Sequence, residues 1–543
     1  MNPKRRNEPQ TASQQSTDFA ASGGGSDHAL ARAVSLHLEG KPKEALRELE
    51  AAFERGEESA QLYSARGHLQ FELEQFEEAA RSYSRALTLD PGQAAAHYNL
   101  AVCLEKLGRW QEAADNFEKA VEGAPERVDA RLGHGICLLH LKNADAALAA
   151  FDAFLSSQPD NETARFGRGV ALQLLWRFEE AAEVYRELLE TNPKSEEVLT
   201  NLVTIGLSRK DDQMVRENAE RLLAVSPFSQ VALEGLATCA FSAGDYEAAA
   251  KFCAKLVELS PDHFERWFNL GVACQKIGRL EQAVQAYSEA VRLRADAKHA
   301  WVNLGVAHQG LGELKSARES YEQALLLAPD LPDVMYNLAT VMEQQNAPED
   351  AERLYAKLVA RNPEWEDAWF RLGYLRLQRA DYRGAIEAFE ICVRRRPTWP
   401  EAQLNLGLAF WKTGNGDAAR QVFETLLTSD ANSVEALRGL AALAIEREDY
   451  EQALDLQARL IDLGERSPEL FYNTGLLLQK SGQVEDAVRL YREALAERPN
   501  FAEALLNLGH ALKSQGQGEQ ARQYWRQALE AKPELAHGYF DGK

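Results

Sequence analysis

The stretch Trp301-Val302-Asn303-Leu304-Gly305-Val306-Ala307-His308, followed by Gly312, Ala317, Tyr321, Ala324 and Pro329, decides how this chain folds. Trp301, Leu304, Gly305 and His308 stand at i, i+3, i+4 and i+7, so they share one face of an α-helix. Gly312 then supplies a residue able to take the left-handed conformation that ends a helix. A second helical stretch sets Ala317, Tyr321 and Ala324 on one face, and Pro329 closes it because proline cannot continue a helix. The small residues Gly305 and Ala317 let the paired helices approach, while Trp301 and Tyr321 fill the space beside them.

Working outward, the same unit recurs without insertion or loss. A small residue returns every 34 positions: Ala33, Gly67, Ala101, Gly135, Gly169, Val203, Ala237, Gly271, Gly305, Ala339, Gly373, Gly407, Ala441, Gly475 and Gly509. The second small position is alanine from Ala45 to Ala181, then Val215, then alanine again from Ala249 to Ala521. The closing proline recurs from Pro91 to Pro533 in most units. One such helical pair cannot bury its apolar faces alone, so neighbouring pairs must stack.

These residues resemble the tetratricopeptide repeat (TPR), and the resemblance covers roughly residues 27–535. It implies an all-α, right-handed superhelical solenoid of fifteen 34-residue helix-turn-helix repeats, with the first helices lining a concave groove. The unbroken register predicts one continuous solenoid rather than several domains. Residues 1–26 carry Lys4-Arg5-Arg6, a polar run and Gly23-Gly24-Gly25, a composition expected to be disordered; residues 536–543 form a short tail. No apolar run suits a secretory signal or a membrane span, so a cytoplasmic protein is expected.

The net charge of −22 argues against sequence-independent binding of nucleic acid phosphates. The six cysteines form no Cys-x-x-Cys pair, and no His-Glu-x-x-His or phosphate-cradling Gly-Lys-Ser/Thr loop occurs. The sequence therefore predicts no enzyme, no metal and no cofactor. Function should lie in what the repeated surface presents.

A second stripe along the first helices is Asp333, Tyr336, Asn337 and Thr340 in one unit, and Glu469, Tyr472, Asn473 and Leu476 in another. Its asparagine recurs as Asn99, Asn201, Asn269, Asn303, Asn337, Asn405, Asn473 and Asn507. A carboxamide both donates and accepts, which matches the backbone of an extended peptide. The pattern is similar to the asparagine ladder in the TPR portion of O-linked N-acetylglucosamine transferase, which implies main-chain capture of polypeptides. The alternative is hydrogen bonding between neighbouring repeats. Gly133, Gly167, Gly235, Arg371 and Gly439 interrupt the ladder, so two or three separate contact regions are expected.

Acidic residues begin many first helices: Asp129, Glu197, Glu265, Asp333, Asp367, Glu401, Glu435, Glu469 and Glu503. They compensate the helix dipole or form a rim that selects basic segments. Phe370, Arg371, Tyr374 and Trp411 fall on the stripe in a tryptophan-rich region and form a candidate partner hot spot. The Val203 unit has valine at both small positions and Ala219 where others have an aromatic, which predicts a hinge near residues 200–225. The ends of the solenoid are expected to support self-association. The function expected is a non-catalytic scaffold or adaptor that binds extended polypeptide segments. The alternative is a substrate-recognition arm for a separate glycosyltransferase; the catalytic part of that family is not matched here.

Overall fold

A computed structural model describes residues 25–536. It contains thirty α-helices and a closing 3-10 turn at Pro533–Ala536, and no strand among the described residues. Most of the expected leading tail, and residues 537–543 of the trailing one, lie outside the described residues. The first helix starts at Gly25. The helices pair in the expected register. In the Gly305 repeat they are Lys298–Gly310 and Leu314–Leu327, with Gly312 between them at φ +74°.

The reason for the small position is direct. Tyr321 is fully buried, and a Cβ placed on Gly305 would sit 2.6 Å from its ring. The tryptophan position has a second role besides packing. The ring N–H of Trp301 donates to the carbonyl of Ala295 at 2.9 Å, and that of Trp369 to Pro363 at 2.9 Å. Arg165 and Gln403 do the same at Pro159 and Pro397 in their own repeats. Each such bond satisfies a carbonyl in the turn between repeats.

The helices form two compact units, one up to Gly278 and one from Arg279 onward. Within each unit, helices pack in chain order, second helix against the next first helix. First helices of successive repeats also touch, as Val128–His140 does with Glu162–Leu174 in one unit and Pro400–Lys412 with Val434–Glu446 in the other. No two successive second helices approach comparably among the described residues. Each stack therefore curves around its first helices, and the stripe read from sequence lies on those helices.

The Val203 repeat packs differently from its neighbours. Val203 and Val215 are buried, and a Cβ on Gly235 would meet Val215 at 2.9 Å and Val203 at 3.0 Å. The two valines thus take the space that Ala219 leaves where most other repeats hold a ring. Lys210 adopts the left-handed turn conformation at φ 57°, and Asp211 caps the second helix by accepting from the Met214 N–H.

Candidate functional site

The ladder positions gain their meaning from the second helix of the preceding repeat. Sixteen residues before each ladder position lies the buried aromatic position of that helix. Where it is tyrosine, the ladder residue answers it. Asn201 donates to the Tyr185 hydroxyl at 3.1 Å. Asn99 and Asn337 stand in the same relation to Tyr83 and Tyr321, near enough to affect their titration. Burial raises the titration of these phenols well above the ordinary range, and the asparagine amide opposes that rise. On its other side the hydroxyl donates to a side-chain carbonyl of its own repeat, as Tyr185 does to Gln173 and Tyr321 to Gln309.

Where the buried ring is phenylalanine, the ladder residue is usually glycine. Phe117 lies against Gly133, Phe151 against Gly167 and Phe423 against Gly439, where an added Cβ would stand 2.6 Å from the ring. These gaps are positions where a ring fills the space that an asparagine would need. Gly235 follows Ala219 and meets the two valines instead.

Four further ladder positions depart from the tyrosine pairing. Asn507 turns to the Tyr472 hydroxyl of the preceding first helix at 3.0 Å. Asn405 follows Phe389, Asn473 follows Gln457 and Asn269 follows Cys253, so none has a hydroxyl sixteen residues before it. Asn269 and Asn473 are exposed and Asn405 is half-buried. Asn303 stands in the same register beyond Tyr287.

Arg371 replaces asparagine beyond Tyr355 and closes a different network. Its guanidinium grips the Glu343 carboxylate in a two-pronged pair, with Nε to Oε1 at 3.0 Å. Tyr355 donates to the same oxygen at 2.8 Å and lies 3.0 Å from the Thr340 hydroxyl. The other residues of the expected hot spot also have partners. Phe370 stacks on Trp399 at 4.7 Å and meets Phe389 edge-on at 5.7 Å. Trp365 stacks likewise on Tyr336 at 5.5 Å. These turn tryptophans cover the aromatic residues of the preceding first helix. Trp411 donates to Glu446 at 3.0 Å, and Tyr374 lies half-buried with the Arg371 guanidinium 5.9 Å from its ring centre.

The acidic helix starts divide in two. Glu469 and Glu503 pair with Arg498 and Lys532 of the following turns, at 2.6 and 2.7 Å. Asp333, Asp367, Glu401 and Glu435, in four consecutive repeats, are exposed and have no ion pair among the described residues. Glu105 is a residue that the sequence reading missed. It occupies the position that bonds a tyrosine hydroxyl elsewhere, but its repeat carries Phe117. Burial raises its carboxyl titration above the ordinary range, against a small opposing effect of Lys106.

Comparison with known proteins fits this geometry. Residues 64–127, 106–162, 141–196, 268–332, 370–434 and 404–468 match one tetratricopeptide repeat family model, more than half of the chain. The chain belongs to the tetratricopeptide repeat family. A second TPR model matches residues 308–372 and 478–538, and a third residues 27–51. A model described as anaphase-promoting complex, cyclosome, subunit 3, matches residues 217–290. Among solved TPR structures, YrrB, described as having an unusual peptide-binding site, is 22% identical with a TM-score of 0.32, covering 35% of this chain and 98% of its own. MamA is 25% identical with a TM-score of 0.29, covering 30% and 96%. A TPR protein from Parabacteroides merdae is 19% identical with a TM-score of 0.33, covering 49% and 98%. No curated protein matches the chain. No helix among the described residues is long and apolar enough to cross a membrane.

Proposed function

We propose that this chain is a non-catalytic protein-interaction scaffold whose first-helix face holds extended, basic polypeptide segments. The strongest site of capture in this reading spans the repeats of Ala339 to Ala441. The observation that carries it is the row of exposed, unpaired carboxylates Asp333, Asp367, Glu401 and Glu435, with the unengaged amide of Asn405 on the same set of helices. Four like charges on successive repeats attract a cationic segment and set its direction. The Asn405 amide then offers a donor and an acceptor to the bound backbone, and Tyr374 and Trp411 add apolar contact beside it. Tyrosine-bonded asparagines such as Asn201 contribute to stacking instead. Peptide contact therefore falls in separate stretches, with Asn269 and Asn473 marking two others. The scaffold reading includes a hinge near residues 200–225, where an aliphatic joint replaces the ring found in most repeats.

The test is fluorescence anisotropy with a labelled, disordered Lys/Arg-rich peptide and the native chain. Asn405→Ala combined with Asp367→Asn and Glu401→Gln should weaken binding at least about tenfold and flatten its salt dependence. Helical content should stay unchanged. Equal affinity in native and altered chains would sink the proposal.

A further inference from the structure

One cluster is absorbed neither by the stacking scheme nor by peptide capture. His37 lies in the last turn of the helix Gly25–Leu38, the first helix of repeat one. His68 and Glu72 lie one turn apart on Ala60–Glu72, the first helix of repeat two. Their i, i+4 spacing puts both on the same face. Nε2 of His37 is 2.8 Å from one Glu72 oxygen, and Nε2 of His68 is 3.6 Å from the other. One ligand atom from each of the three residues lies within 4.8 Å of the other two, the one place among the described residues where such a set converges.

The distances distinguish two uses of this cluster. The His37 contact is an ordinary hydrogen bond. At 3.6 Å from the other oxygen, the His68 nitrogen is too far to make one. Ligand atoms around a tetrahedral zinc ion, with bonds of about 2.1 Å, stand roughly 3.4 Å apart. The two imidazole nitrogens lie 2.8 and 3.6 Å from the two Glu72 oxygens, a spread around that edge length that small side-chain rotations can close. We propose that His37, His68 and Glu72 form a site for a divalent metal ion, Zn(II) or a similar borderline ion, that ties the first helix of repeat one to that of repeat two.

The ligand chemistry suits such an ion, since two imidazoles and one carboxylate favour zinc and its neighbours over calcium or magnesium. The three side chains remain 25%, 26% and 33% exposed, which leaves a fourth position open to water or to a donor from a bound segment. The terminal location gives the bond a purpose. Val34 and Leu38 on the same first helix are exposed, so this helix has fewer apolar contacts to hold it than interior helices have.

The experiment uses the full chain without an affinity tag, titrated with Zn(II) by calorimetry and with Co(II) by visible spectroscopy. One ion per chain should bind, with the absorption of tetrahedral Co(II), and Zn(II) should raise the melting temperature. His68→Gln and Glu72→Gln should each weaken binding at least about tenfold, the scale that even indirect supporting residues reach at metal sites. Both positions are partly exposed, and circular dichroism confirms that the variants fold. His37→Gln, at the helix end, provides a third reading with the least structural cost. No binding by the native chain would overturn the proposal. So would undiminished binding by the variants, which would place the ion elsewhere.

Discussion

The joint at Tyr185 and the joint at Phe423 solve one packing problem in two ways. At the first, a buried hydroxyl reaches Asn201 on the next repeat and Gln173 on its own. At the second, the ring presses against Gly407 and Gly439 with no polar atom involved. The first joint is held by directional bonds, so its stability depends on both partners being present. The second depends on the absence of a side chain. The difference teaches that an asparagine on the first-helix face does not by itself mark a binding position, because a buried tyrosine of the preceding repeat can engage it, as Tyr185 engages Asn201.

The most damaging test of that contrast is Gly439→Asn, which inserts the ladder residue where a ring already stands. It should lower stability by about 1–3 kcal/mol, the usual cost of overfilling a packed core, and chemical denaturation measures it. An unchanged midpoint would show that the two kinds of joint are interchangeable. Tyr185→Phe removes the hydroxyl and leaves Asn201 and Gln173 without it. A loss of about 1 kcal/mol is expected in the same assay. The same change would be silent if the tyrosine joint owed its stability to ring burial alone.

Glu105 gives a smaller effect with a defined pH dependence. Its folded carboxyl titrates above the unfolded value, so the folded chain holds this proton more tightly. Stability from this group is therefore present below the ordinary glutamate pKa and is lost as pH rises toward the raised folded value. Glu105→Gln should raise the melting temperature at pH 7 and change it little near pH 4. A stabilisation equal at both pH values would mean that charge plays no part. The slightest signal is expected at the Val203 repeat, where neither kind of ring joint exists. Hydrogen exchange should be faster over residues 200–225 than in the flanking repeats, and uniform protection would remove the hinge.

The fold was legible because its signal is repeated fifteen times in one register, from Ala33 to Gly509. Periodicity locates each helix and each small residue even where one unit departs from the pattern. The candidate site was legible only in part. The asparagines could be seen, but the reason for their gaps lies across a joint, in Phe117, Phe151 and Phe423, and emerges once second helices are placed against the following first helices. Phe370 was read as part of a partner hot spot because its stacking on Trp399, a relation between repeats, is not visible in the sequence. His37 and His68 were invisible as a pair. They are 31 residues apart, off the period, and only the meeting of two first helices brings them together.

The turn carbonyls bonded by Trp301, Trp369, Arg165 and Gln403 carry a consequence for how such a chain can change. Four side chains of three chemical kinds fill one socket, and what they share is an N–H at the right reach. Other repeats fill the same position with Leu199, Leu233, Met335, Leu437, Phe471 or Leu505, all buried, so the socket accepts either an N–H donor or a purely apolar side chain. Charge, bulk and aromaticity differ there from repeat to repeat while the 34-residue register stays constant. A protein built this way can vary what it displays without renegotiating how it stands.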